Sequence, residues 1–83
     1  MRIRSADISA RTIGDETIVL SLATSRYFTI TGVGTRVLEL LGEETSLEEL
    51  VRTIVDEYDV DDITARRDIQ AFLDRLRAAE LLH

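Results

Sequence analysis

Asp15-Glu-Thr-Ile-Val-Leu-Ser-Leu-Ala-Thr-Ser-Arg-Tyr-Phe-Thr-Ile-Thr31 decides the fold. It reads as two short strands joined by a tight polar turn. In the first, Ile18, Leu20 and Leu22 alternate with Thr17, Val19 and Ser21. That spacing predicts one face carrying three aliphatic side chains toward the core. After Ala23-Thr24-Ser25 the chain is again β-branched and aromatic, with Phe28 and Ile30 two residues apart. Upstream, Ile3, Ile8 and Ile13 supply one more strand, placed around Ala10 to Ile13, and Gly14-Asp15 turns it back antiparallel. So small a sheet cannot bury one face alone, and helices must cover it.

Downstream of Gly32 everything reads as helix. Thr31 is a candidate cap for the first, in which Val33, Val37, Leu38, Leu40 and Leu41 precede a stop at Gly42. Ser46-Leu-Glu-Glu49 is a capping-box pattern. Leu47, Leu50, Val51, Ile54, Val55 and Tyr58 follow at helical spacing, with Glu48, Glu49, Asp56 and Glu57 on the outer side. Asp59-Val-Asp-Asp62 breaks that helix and caps a third, whose stripe runs through Ala65, Ile69, Phe72, Leu73, Leu76 and Ala79. Asp68 and Arg75 flank the stripe on one side, Arg66 and Arg77 on the other. The expected architecture is α+β: a three-stranded antiparallel sheet followed by three helices, one winged-helix-like domain over residues 1–83.

Composition removes several functions. The chain has no cysteine, so it offers no thiolate and no Cys-ligated metal. Its only histidine is the last residue, His83, read as a terminal residue rather than a base. Gly32-Val-Gly34 lacks the third glycine of a dinucleotide loop. Asp59, Asp61 and Asp62 lack the glycine and closing glutamate of a calcium loop, and read as helix caps. Consecutive glutamates at 43–44 and 48–49 diverge on a helix and make no acid/base pair. No catalysis, no cofactor and no metal are therefore expected. The net charge of −6, with four arginines against five carboxylates between Asp61 and Glu80, argues against a nucleic-acid backbone as partner. No stretch has the length of a membrane span or the apolar core of a signal peptide, so no membrane partner and a cytoplasmic location are expected.

Asp15-Glu16, Val19-Leu-Ser-Leu22, Ser25-Arg-Tyr-Phe-Thr-Ile-Thr-Gly-Val-Gly34 and Val37-Leu-Glu-Leu-Leu41 together resemble the PqqD-like family. So do Ser46-Leu-Glu-Glu-Leu-Val51, Tyr58-Asp59 and the closing Asp68-Ile69, Phe72-Leu73, Leu76 and Leu81-Leu82. The resemblance covers nearly the whole chain from Asp15. One departure is Glu80, where the family commonly has glycine; it bears on the end of the third helix more than on function.

The resemblance implies a recognition element of a ribosomal peptide natural-product pathway. The leader segment of a precursor peptide would add as a strand along Arg26, Tyr27, Phe28, Thr29 and Ile30. Apolar leader side chains would enter a cleft formed by Phe28 or Tyr27 with Ile69, Phe72 and Leu76, with Asp68 and Arg75 on its rim. The bland reading of Phe28, Ile30, Ile69, Leu73 and Leu76 is simply core. The implied partners are the leader and a separate leader peptidase or other maturation enzyme, in a lasso-peptide setting or, as in PqqD-type systems, with a radical enzyme. A winged-helix DNA-binding regulator and a self-pairing module are the competing classes, since an open strand edge also pairs with its own copy.

Overall fold

The computed structural model describes residues 1–4 and 8–82, so the reading of His83 lies outside the described residues. Three strands come first: β1 (Ile8–Ile13), β2 (Glu16–Ser21) and β3 (Arg26–Thr31), antiparallel in the order β1-β2-β3. Then follow α1 (Val33–Leu40), α2 (Leu47–Glu57) and α3 (Asp62–Ala78). The expected α+β order is the observed one. β1 is longer than expected, beginning at Ile8. No helix among the described residues is long and apolar enough to cross a membrane.

The sheet turns its other face inward from the one predicted. Thr17, Val19 and Ser21 are buried, whereas Ile18, Leu20 and Leu22 are exposed. The register explains the inversion: Thr17 pairs with Ile30 and Val19 with Phe28, so β2 must present its small residues on the side where β3 presents its large ones. Small residues also let α1 approach closely. The Thr17 hydroxyl lies 2.8 Å from the Thr12 hydroxyl and 3.4 Å from that of Thr35 in α1. Thr35 in turn donates to the carbonyl of Asp15 at 2.9 Å. A threonine chain, buried at Thr17 and Thr35, thus fastens α1 to two strands, with its buried hydroxyls satisfied.

Three caps set the helices. Thr31 does not cap α1: it stays in β3 opposite Glu16, and Gly32 makes the turn with φ +62°, a conformation cheap only for glycine. Ser46 caps α2, accepting the Glu49 N–H at 3.2 Å. Asp61 caps α3, accepting the Thr64 N–H at 2.7 Å, and that bond holds its carboxyl below the ordinary value. Tyr58 falls at the end of α2 in extended backbone and is partly exposed, not part of the helix's inner stripe. The core is Val19, Ile30, Val37, Leu38, Leu41, Leu50, Val51, Ile54, Ala65, Ile69, Leu73, Leu76 and Leu81.

Two ion pairs cross between helices. Arg36 of α1 forks onto Glu57 at the end of α2 through two bonds of 2.8 Å, and Arg66 of α3 reaches Glu48 at 2.9 Å. Both arginines hold their partners' carboxyls below the usual range. The acidic outer face read from the sequence is therefore partly neutralised by its neighbours. The N-terminal arm closes the domain: Ile3 bridges Leu82, and the Arg4 N–H donates to the Leu81 carbonyl at 2.8 Å.

α3 ends in a Schellman turn. The Leu81 N–H donates to the Leu76 carbonyl at 2.9 Å and the Glu80 N–H to the Arg77 carbonyl at 3.0 Å. Glu80 occupies the left-handed position with φ +59°, which costs a residue bearing a Cβ ~1–2 kcal/mol. Glu80→Gly removes that strain while giving back part of the gain as chain entropy, so a net stabilisation of ~0.5–1 kcal/mol is expected. Thermal unfolding should show it as a midpoint raised by roughly 2–8 °C.

Candidate functional site: an open strand edge beside the third helix

β3 is an edge strand, and the phase of its ladder can be read from one bond. The Gly32 N–H donates to the Asp15 carbonyl at 3.0 Å. In an antiparallel pair such bonded positions alternate, so with this register Ile30, Phe28 and Arg26 turn their backbone groups toward β2. The N–H and C=O groups of Tyr27, Thr29 and Thr31 point the other way, out of the sheet. They form a row of donors and acceptors open to a further strand.

Side chains of β3 alternate independently of that row. Phe28 and Ile30 lean toward α3, while Tyr27 lies beside Leu20 on the outer face, 72 % exposed. Two adjoining hollows run between β3 and α3. The first, about 250 Å³, has Gly34 in its lining with Ile30, Ile69 and Phe72 around it and Asp68 and Arg75 at its mouth. The second, about 310 Å³, lies between Phe28, Phe72 and Leu76, with Arg26 and Arg75 beside it. Ile30, Phe72 and Arg75 belong to both, so the pair forms one groove along the open edge. Each hollow is at or below the low end of the ~300–1,000 Å³ of small-molecule sites, a size suited to single side chains.

The structure brings together Arg26, Phe28, Thr29, Ile30, Asp68, Ile69, Phe72, Arg75 and Leu76 around this groove and leaves the Tyr27 side chain outside it. Ile30, Ile69 and Leu76 are at most 5 % exposed and serve as floor. Phe28 and Phe72 are only partly buried and form the accessible apolar walls. Asp68 and Arg75 are exposed at the rim. Gly34, which the sequence places only in the turn and helix entry of Gly32-Val-Gly34, also belongs to the groove lining. A side chain there would place its Cβ 2.8 Å from the Ile30 methyl Cγ2 and 3.5 Å from the Phe72 ring; the only hint in the sequence was its spacing after the β3–α1 turn.

A family model described as coenzyme PQQ synthesis protein D (PqqD) matches residues 16–82. The chain belongs to the PqqD family. Among solved structures, TbiB1 in complex with the TbiA(beta) leader peptide is 41 % identical and superimposes with a TM-score of 0.90, over 100 % of this chain and 95 % of that one. Lasso peptide synthetase B1 complexed with the leader peptide has a TM-score of 0.83 at 21 % identity, over 96 % of this chain and 93 % of that one, a likeness that speaks for the fold alone. No curated protein matches the chain. Residues 16–82 of this PqqD-family chain include β3, α1 and α3 whole, and with them every residue of the groove.

Proposed function

We propose that the chain is a recognition protein, not an enzyme, which binds the leader segment of a ribosomally made precursor peptide and presents it to a separate leader peptidase or other maturation enzyme. The leader adds as a fourth strand on β3. The observation that carries this reading is the coincidence of the open backbone row of Tyr27, Thr29 and Thr31 with a groove walled by Phe28 and Phe72. The leader complex of TbiB1, 41 % identical over the whole chain, supports it. A lasso-peptide pathway is the favoured setting, because a stand-alone PqqD-like domain of this size resembles the leader-binding proteins of such pathways.

The magnitudes suit delivery. Two or three apolar anchors contribute ~1.5–3 kcal/mol each and the edge hydrogen bonds ~0.5–1.5 kcal/mol each. Ordering a flexible leader costs about 2–5 kcal/mol, and lost rotational and translational freedom costs more. These opposing terms are of similar size, so the leader is held reversibly rather than permanently. A complex of that strength holds the precursor through processing and still releases it.

Fluorescence anisotropy with the labelled TbiA(beta) leader, the peptide bound by the 41 % identical TbiB1, run against duplex DNA at two salt concentrations, tests the reading. Saturable leader binding, weakened about ten-fold in Phe72→Ala with the circular dichroism spectrum retained, is expected, since one wall of the groove is lost. DNA binding without leader binding would refute it.

A further inference from the structure

The groove beside β3 is electrically lopsided. Asp68 belongs to the first hollow alone, Arg26 to the second alone, and Arg75 to both. One end therefore carries a carboxylate and the other two guanidinium groups, all three exposed. The basic end stands against a net charge of −6 for the chain. The other arginines of α3 have partners: Arg66 meets Glu48 and Asp62, Arg67 meets Asp68 at 3.6 Å, and Arg77 meets Asp74 at 3.5 Å. Neither Arg26 nor Arg75 has an ion-pair partner among the described residues.

Strand addition by itself leaves the register of a peptide open. Main-chain bonds to Tyr27, Thr29 and Thr31 do not depend on sequence, and a strand slid by two residues keeps the same face inward. Hollows of about 250 and 310 Å³ accept apolar side chains nearly alike. Backbone and shape thus distinguish poorly between one register and the next. Charge changes sign along the groove and does distinguish them.

We infer that Arg26 and Arg75 form a carboxylate subsite that sets the register of the bound leader, an inference resting on the leader-binding reading above. Its ligand is an aspartate or glutamate side chain of the leader, on the inward face of the added strand and over the second hollow. Guanidinium forks match carboxylates in bidentate fashion. Here the two forks come from different elements, β3 and α3, so one carboxylate can be gripped from both walls of the groove. Exposed ion pairs contribute little, but the leader that brings the carboxylate also covers the pair and strengthens it by excluding water. Asp68 supplies the opposite sign. It precedes Arg75 by seven residues of α3, about 10 Å along the helix axis, which an extended peptide spans in three to four residues. A leader reversed, or slid by about that much, sets its carboxylate against Asp68 and is repelled.

The test uses labelled leaders of TbiA(beta) sequence carrying glutamate or glutamine at each position in turn. Each is titrated by fluorescence anisotropy against the unaltered chain and against Arg26→Gln/Arg75→Gln, whose substitutions break no ion pair among the described residues. The readout is the ratio of glutamate to glutamine affinity. At one position the unaltered chain should favour glutamate about five-fold or more, and at the positions two residues to either side it should not. In Arg26→Gln/Arg75→Gln that preference should fall below about two-fold. Arginines with only a structural role would weaken both leaders equally and leave the ratio unchanged, which overturns the inference. So does a chain that favours glutamate at no position, or equally at several alternate ones. In each of those cases leader recognition stands. Failure of the unaltered chain to bind any of these leaders removes the functional reading underneath.

Discussion

Thr29→Pro is expected to keep the sheet and lose the peptide. The Thr29 N–H points away from β2, because the bonded positions of the ladder are Arg26, Phe28 and Ile30. Proline at 29 therefore removes no hydrogen bond between β2 and β3, and proline on the open side of an edge strand is tolerated. For an incoming strand the change is severe. One donor disappears at the centre of the row, and the ring stands where the leader backbone must approach. With neighbouring bonds at Tyr27 and Thr31 also lengthened, a loss of ~2–3 kcal/mol, about 30- to 150-fold in affinity, is expected. Phe28→Pro is the paired control: it strikes the bonded side and should unfold the hairpin. The two variants are compared by leader anisotropy and thermal melting. A Thr29→Pro chain that melts normally and binds leader at full strength would exclude strand addition on β3.

Gly34→Val should be the most damaging single change to the groove. Gly34 is a helical residue without positive φ, so its backbone conformation does not demand glycine. Space does. Its Cβ would lie 2.8 Å from a methyl of Ile30, which is 5 % exposed and held by the core, and the two further methyls of valine would press on Phe72. Overpacking of this kind costs roughly 2–3 kcal/mol, a fall of about 10–20 °C in melting midpoint for a domain this small. Leader affinity should fall with it, because α1 or Phe72 must move and the first hollow closes. Gly34→Ala is milder, since alanine recovers up to ~1 kcal/mol of helix propensity against the same collision. Comparing the two separates crowding from backbone effects.

Element order and type were legible from period and punctuation. Ser46 and Asp61 cap the helices that their patterns announced, and Gly14-Asp15 makes the predicted turn. The burial of β2 was misread. Ile18, Leu20 and Leu22 outweigh Thr17, Val19 and Ser21 by hydropathy, yet the latter face inward. Hydropathy could not see that Thr35 would satisfy the Thr17 hydroxyl, nor that Phe28 and Ile30 would fill the volume β2 leaves. The same alternation decides between Tyr27 and Phe28, a choice open until the register was known. Which backbone groups of β3 are free depends on one hydrogen bond of Gly32, and no residue pattern encodes that phase. Conversely, the unexpected glutamate at position 80 was visible as a departure, and its left-handed φ gives the departure a physical meaning.

The bridge between Ile3 and Leu82 makes the fold nearly a closed ring. Paired strands lie about 5 Å apart, so a linker of a few residues could join these two positions without disturbing the groove, which lies between β3 and α3. The ring could then be opened elsewhere, for example in the exposed turn of Leu22 to Ser25. Contacts between these two distant segments would become local in sequence. As a part for building, the domain can be grafted through either its paired ends or a loop, and the open edge of β3 travels with it unchanged.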